Sequence, residues 1–194
     1  YSVIGEYVVC GNNIGSLLIL IRKYMTAEGI HNIGIVGKNL PVAVAITRSA
    51  NTTQYAVNDV MNNGTDTIPL IFTVARDLNK GGWVVSGGSI TSNGAAGTLP
   101  SIDLLLFSST FTIAGDNAAF APTYAQMQTL LGKITFPSWV NRGGIAEADG
   151  NLTTPFIFSP ASNTRIIYGV LLLQNTYTPA SSETLQFLIG VEQY

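Results

Sequence analysis

From Pro41 onward the chain is a succession of short apolar runs closed by Asn, Gly and Pro corners, and this punctuation restricts the fold more than any other feature. Period-two runs rich in β-branched and aromatic residues, bounded by turn residues, are strands. Strands without intervening helical segments form antiparallel layers rather than a parallel α/β sheet. PVAVAIT alternates, with Val42, Val44 and Ile46 on one face. A half-buried strand is predicted over 55–60, with Tyr55 and Val57 on one face, before the Asn62-Asn63-Gly64 corner. TIPLIFTVA (67–75) reads as a strand that Pro69 pushes toward a sheet edge. WVVSGGSITS reads as a strand with a bulge or bend at Gly87-Gly88, ended by Asn93-Gly94. In IDLLLFS, Asp103 points away from the face of Ile102, Leu104 and Leu106.

The interval 109–133 has no clean period, and within it YAQMQTLLG (124–132) is predicted as a short helix capped by Gly132. KITFPSWV returns to strand and is broken by Pro137, and NRGGIAEADGNLTTP reads as a charged loop. TRIIYGVLLLQ and TLQFLIGVEQY are two long apolar strands joined by a surface loop, NTYTPASSE. The total from Pro41 is about eight strands and one short helix, which predicts an all-β, antiparallel, jelly-roll-like sandwich over 41–194. Residues 47–60, TRSANTTQYAVNDV, mark where this rhythm begins. Before it, glycines at 5, 11, 15, 29, 34 and 37 break any long helix. Residues 1–40 are therefore expected to form an extended N-terminal arm with one or two strands that clasps the main body or a neighbouring subunit, or else the first strands of the same sandwich.

Charged residues make up only 10% of the 194 residues, against roughly 25% in an average soluble protein. Asn, Thr, Ser and Gly replace them, a neutral surface suited to packing against other subunits because unpaired charge is costly to bury. A net charge of -2 with no basic run gives nothing to neutralise phosphates, so nucleic acid is not an expected partner. The apolar runs at 17–21 and 168–173 are far shorter than the ~20 residues that span a bilayer, and neither a membrane segment nor a signal peptide is expected. Cys10 is the only cysteine and reads as a small buried hydrophobe.

No constellation for catalysis emerges. His31 is the sole histidine, with no second His or Cys to make a zinc site or a base for a serine nucleophile. Glu147, Asp149 and Asn151 lack the alternating spacing of a calcium loop, and nothing in the sequence brings Asp103 to Asp116 as a glycosidase pair. Gly37-Lys38 is followed by Asn39 where a phosphate loop needs a hydroxyl. No enzymatic activity, cofactor or metal is expected. Trp83 and Trp139, with Tyr55, Tyr124 and Phe136, leave open an aromatic platform for sugars, though tryptophans in a sandwich more often serve core or subunit contacts.

The run Arg48-x-x-x-x-Thr53-x-Tyr55-x-x-x-Asp59-Val60, followed in order by IPLIFTVARDLNKGGW, LLLFSSTFTIAGDNAAF and TPASSETLQFLIGVEQ, resembles virion proteins of tailed bacteriophages of the capsid decoration (cement) type. The resemblance covers about residues 46–192 and not the first 40. It implies a jelly-roll-like body on the outer surface of the capsid, bound to the major capsid protein and self-associated, as a trimer first and a dimer next. Contact residues expected on that basis are Tyr7, Leu17, Leu18 and Ile19 in the arm, with the loop residues Trp139, Asn141 and Arg142. The competing expectations are a phage fibre or receptor-binding sandwich that holds host glycans, and a secreted carbohydrate-binding module.

Overall fold

The computed structural model describes residues 40–64, 67–75, 77–93 and 99–193. The N-terminal arm, with Tyr7, Leu17, Leu18, Ile19, Cys10 and His31, lies outside the described residues, save Leu40, which opens the first strand. The described residues form two antiparallel sheets. Sheet A runs β1 (Leu40–Thr47), β12 (Thr184–Gln193), β4 (Gly82–Thr91), β9 (Ala146–Gly150), β8 (Val140–Asn141), and β10 (Phe156–Phe158) also pairs with β4. Sheet B runs β6 (Ala118–Ala119), β2 (Asp59–Met61), β11 (Ile166–Leu173), β5 (Ile102–Phe107), β7 (Leu130–Phe136), and β3 (Leu70–Thr73) extends the β2 side of β11. Apart from the β8–β9 hairpin, strands that pair within a sheet are not consecutive along the chain.

The two sheets share one core. Val42, Ile46, Phe187, Ile189 and Val84 of sheet A meet Phe72, Leu104, Ile134, Phe136 and Leu171 of sheet B, all buried. Phe136 and Phe187 pack edge to face at 5.6 Å. Strand β5 is buried on both faces, because the excursion 108–129 folds back over the outer face of sheet B. There Val60, Leu105, Phe107, Ile113, Val170 and Leu172 form a second apolar layer under Phe111, Phe120 and Met127. Backbone bonds from Ile113 to Thr67, Asn117 to Val60 and Phe120 to Asn58 strap the excursion down.

Several expectations need correction. The helix, α1, covers only Tyr124–Met127, with a capping box between Thr123 and Gln126, and it ends at Gln128. Leu130 and Leu131 belong to β7, where pairing of Leu130 with Phe107 wins over helical spacing, and Gly132 is a strand residue lying against the Phe156 ring. Tyr55 is fully buried in an isolated bridge to Tyr177 while Val57 is exposed, so 55–60 is not one strand face. The charged loop contains the β8–β9 hairpin, turned by Gly143 and Gly144 at positive φ (84° and 118°), and then β10. The irregularity in β4 falls at Val85, opposite Gly190/Val191, not at Gly87-Gly88. Gly87 has another purpose. Gly87 and its pair partner Gly150 leave room for Ile134 and Phe136 from the opposite sheet.

Candidate interaction surface

The outer faces of the two sheets differ. Sheet B is roofed by its own excursion, whereas among the described residues nothing covers the outer face of sheet A. Strand register orders that face in rows. Ala43, Leu188, Gly88 and Asp149 lie side by side, as do Ala45, Gln186, Ile90, Glu147 and Val140. A third row is Glu192, Trp83 and Ile157. Trp83, Ile90, Leu188, Val140 and Ile157 are each 39–51% exposed. A shallow depression of about 270 Å³ lies over the bare backbone of Gly88, bordered by Ile90, Leu188, Glu147 and Asp149. The face therefore combines exposed apolar side chains with carboxylates on β9 (Glu147, Asp149) and β12 (Glu192), of which Glu147 is paired with Arg142 at 2.6 Å.

Of the residues expected to make contacts, Asn141 and Arg142 sit at the tip of the β8–β9 hairpin, at the border of this face. The Asn141 side chain accepts from Gly143 N at 2.7 Å and shapes the turn. Trp139 is half-buried against the main core, and its indole N–H donates to the Pro100 carbonyl. Trp83 is thus the exposed indole and Trp139 an anchoring one. The sequence signal for the face was present in the alternation of β1, β4 and β12, but alternation does not say which of two faces another layer will cover.

At one end of the sandwich a buried polar network was missed altogether. The Arg48 guanidinium, with 0% side-chain exposure, bonds Asp116 at 3.0 Å, donates to the Tyr55 hydroxyl and lies 4.6 Å over the Tyr55 ring. The Tyr55 hydroxyl donates to Asp116 at 2.6 Å, and Asn62 N donates to the same carboxylate at 2.9 Å. Tyr55 stacks on Tyr177, whose hydroxyl donates to buried Glu183 at 2.6 Å. Thr91 and Ala180 N complete that carboxylate at 2.5 and 3.2 Å. Burial first, then hydrogen bonding to Asp116 and to Glu183, pushes the Tyr55 and Tyr177 phenols well above their ordinary value. Protonated phenols and donor-saturated carboxylates offer neither nucleophile nor base. The network clasps 47–62, 116 and 177–183 together.

Asp103 and Asp116 do not form a carboxylate pair. Asp103 is held by Lys133 at 2.9 Å and Thr135 at 2.6 Å, on β7. Among the described residues no three His, Cys, Asp or Glu side chains gather as a metal site, and no helix is long and apolar enough to cross a membrane. Comparison with protein-family models, with curated proteins and with solved structures gives no match.

Proposed function

We propose that this chain is a capsid decoration (cement) protein of a tailed bacteriophage, which binds the major capsid protein on the outer surface of the head and strengthens contacts between its subunits. It acts as a homo-oligomer and without catalysis. One observation carries the reading: the excursion 108–129 covers much of the outer face of sheet B, where Ile71 stays half exposed, while the outer face of sheet A exposes Leu188, Ile90 and Trp83. Contiguous exposed apolar surface on a folded domain marks a protein contact. The sheet orders support a jelly-roll body, since β1-β12-β4-β9 and β2-β11-β5-β7 interleave two Greek keys. Modest contacts repeated over several capsid subunits give retention through effective concentration.

The test is titration of the full chain onto expanded, undecorated heads, read by co-sedimentation and by the melting temperature of the particle. Saturable binding with a raised melting temperature is expected. Trp83→Ala combined with Leu188→Glu is expected to weaken binding by about tenfold or more and to leave the melting of the isolated chain unchanged. No binding to heads at saturation overturns the reading. The exposed Trp83 beside Ile157 favours one alternative, a fibre or receptor-binding protein for host glycans. Trp83-dependent binding to host cells, without binding to heads, selects it.

A further inference from the structure

The two sheets end in six edge strands, and five of them are closed or short, β10 having three residues and β3 four. Strands β8 and β6 are two residues long. Strand β7 is bridged at Thr135 by Asn151 and covered at Gly132 by Phe156. The sixth, β1, is eight residues long, pairs with β12 in unbroken register, and carries no charged side chain. Among the described residues no strand lies on its other side. Long, flat, uncharged edges are templates for strand addition, and folded proteins ordinarily blunt them.

The hydrogen-bonding phase of this edge is fixed. Arg48 N donates to Glu183 O, in register with β1–β12, so even-numbered residues of β1 bond β12 and odd-numbered ones face outward. Thr47 N, odd, accordingly points away from β12 and donates to Asn63 Oδ1 at 3.4 Å. Pro41, also odd, has no N–H to offer. The donors left on the edge are those of Ala43 and Ala45. Both carry small side chains that do not obstruct an approaching backbone.

We propose that β1 pairs antiparallel with β1 of a second copy of this chain about a two-fold axis through Val44, joining the two A sheets into one. In this register Ala43 of each copy faces Ala45 of the other, so every outward donor meets a carbonyl. Pairing ends at Pro41 and Thr47, where nothing remains to donate. The inward faces match as well: Val42 lies opposite the second copy's Ile46, and Val44 opposite the second copy's Val44, β-branched pairs continuing the core. No charge opposes its like across the axis. The proposal selects a two-fold dimer over the trimer that the phage resemblance implies. It is independent of the virion reading, because its test needs no capsid.

Sedimentation equilibrium of the full chain is expected to give a dimer. Ala45→Pro removes one of the two outward donors at a position where an edge strand tolerates proline. Ala43→Lys places a charge beside the axis. Each is expected to raise the dimer dissociation constant about tenfold or more with an unchanged circular dichroism spectrum; should the proline variant misfold, the lysine variant carries the test. In a Cys10→Ser background, Val44→Cys is expected to form a disulfide-linked dimer on mild oxidation, and Leu188→Cys is not. A monomeric wild-type chain overturns the proposal, as does any other stoichiometry. So does a dimer that neither edge substitution weakens, or one in which Val44→Cys does not crosslink.

Discussion

Arg48 and Asp116 show how little of a buried polar contact is visible at the level of single residues. They are 68 positions apart, and neither carries a local signal of burial. Within TRSANTTQYAVNDV the arginine reads as one end of a polar corner, yet its side chain is fully enclosed. Asp116→Ala is expected to lower stability in urea titrations by about 3–5 kcal/mol, since it leaves a buried guanidinium without its counter-charge. Asp116→Asn, which keeps an acceptor for the Tyr55 hydroxyl, falls between it and wild type. The phenols of Tyr55 and Tyr177 make a separate, pH-dependent contribution. Their folded-state pKa values lie above the ordinary 10.0, so the folded chain holds these protons where the unfolded chain releases them. The contribution is complete below pH 10, the unfolded value, and is lost progressively as pH rises from there toward the folded-state values. Urea midpoints are expected to stay flat to about pH 9 and to fall above pH 10. Tyr177→Phe is expected to flatten that fall while lowering stability at neutral pH, because Glu183 loses a donor. A midpoint independent of pH up to the alkaline limit in wild type excludes this linkage.

At the scale of elements, glycines on the paired strands β4 and β9 carry opposite requirements. A Cβ on Gly150, the partner of Gly87, would meet Ile134 Cγ2 at 2.5 Å, Phe136 Cε1 at 2.9 Å and the Gly87 Cα at 3.0 Å. A Cβ on Gly88 would meet nothing closer than 4.0 Å. Gly150→Ala is thus expected to cost about 1–3 kcal/mol through overpacking. Gly88→Ala is expected to stay within about 0.5 kcal/mol of wild type in the same denaturation assay. The sequence places Gly88 in a strand and Gly150 in a charged loop, and it does not show their different surroundings, since the ring and methyl groups that decide the matter arrive from β7. The same distinction separates legible from illegible elements generally. Strands β1, β4, β5, β11 and β12 stand out in the sequence because their runs are long and their faces consistent. Strands β8, β9 and β10 do not, because AEADG has little β-branched or apolar content and VN and FIF are too short to show a period. The α1 segment was over-extended for the converse reason: Met127, Leu130 and Leu131 fit helical spacing, but the last two are claimed by the sheet. The candidate surface was half legible, with Trp83 singled out as an aromatic and its exposure set by which strands happened to flank it.

For the molecule as a whole, scarcity of charge determines how its contacts respond to solution conditions. Three salt bridges occur among the described residues: Arg48–Asp116 is buried, Lys133–Asp103 has one enclosed partner, and only Arg142–Glu147 is open on both sides. An exposed pair contributes little and is screened by salt, whereas enclosed pairs are screened much less. The folded chain should therefore melt within about 2 °C of the same temperature at low and at molar sodium chloride, a shift smaller than that of 1 kcal/mol in a domain of this size. The same reasoning applies to association through sheet A. On the proposed function, a face of Leu188, Ile90, Trp83 and Ile157 would drive binding by removing apolar area from water, which gives a negative heat-capacity change and a weak dependence on ionic strength. Binding to heads measured by calorimetry at several temperatures is expected to show that negative slope, and an affinity that changes by less than about threefold between low and high salt. A contact made instead by the hairpin charges Arg142, Glu147 and Asp149 would weaken steeply as salt screens them, and Arg142→Ala would then matter more than Leu188→Glu. The two substitutions, compared at both salt concentrations, decide between the apolar face and the charged rim.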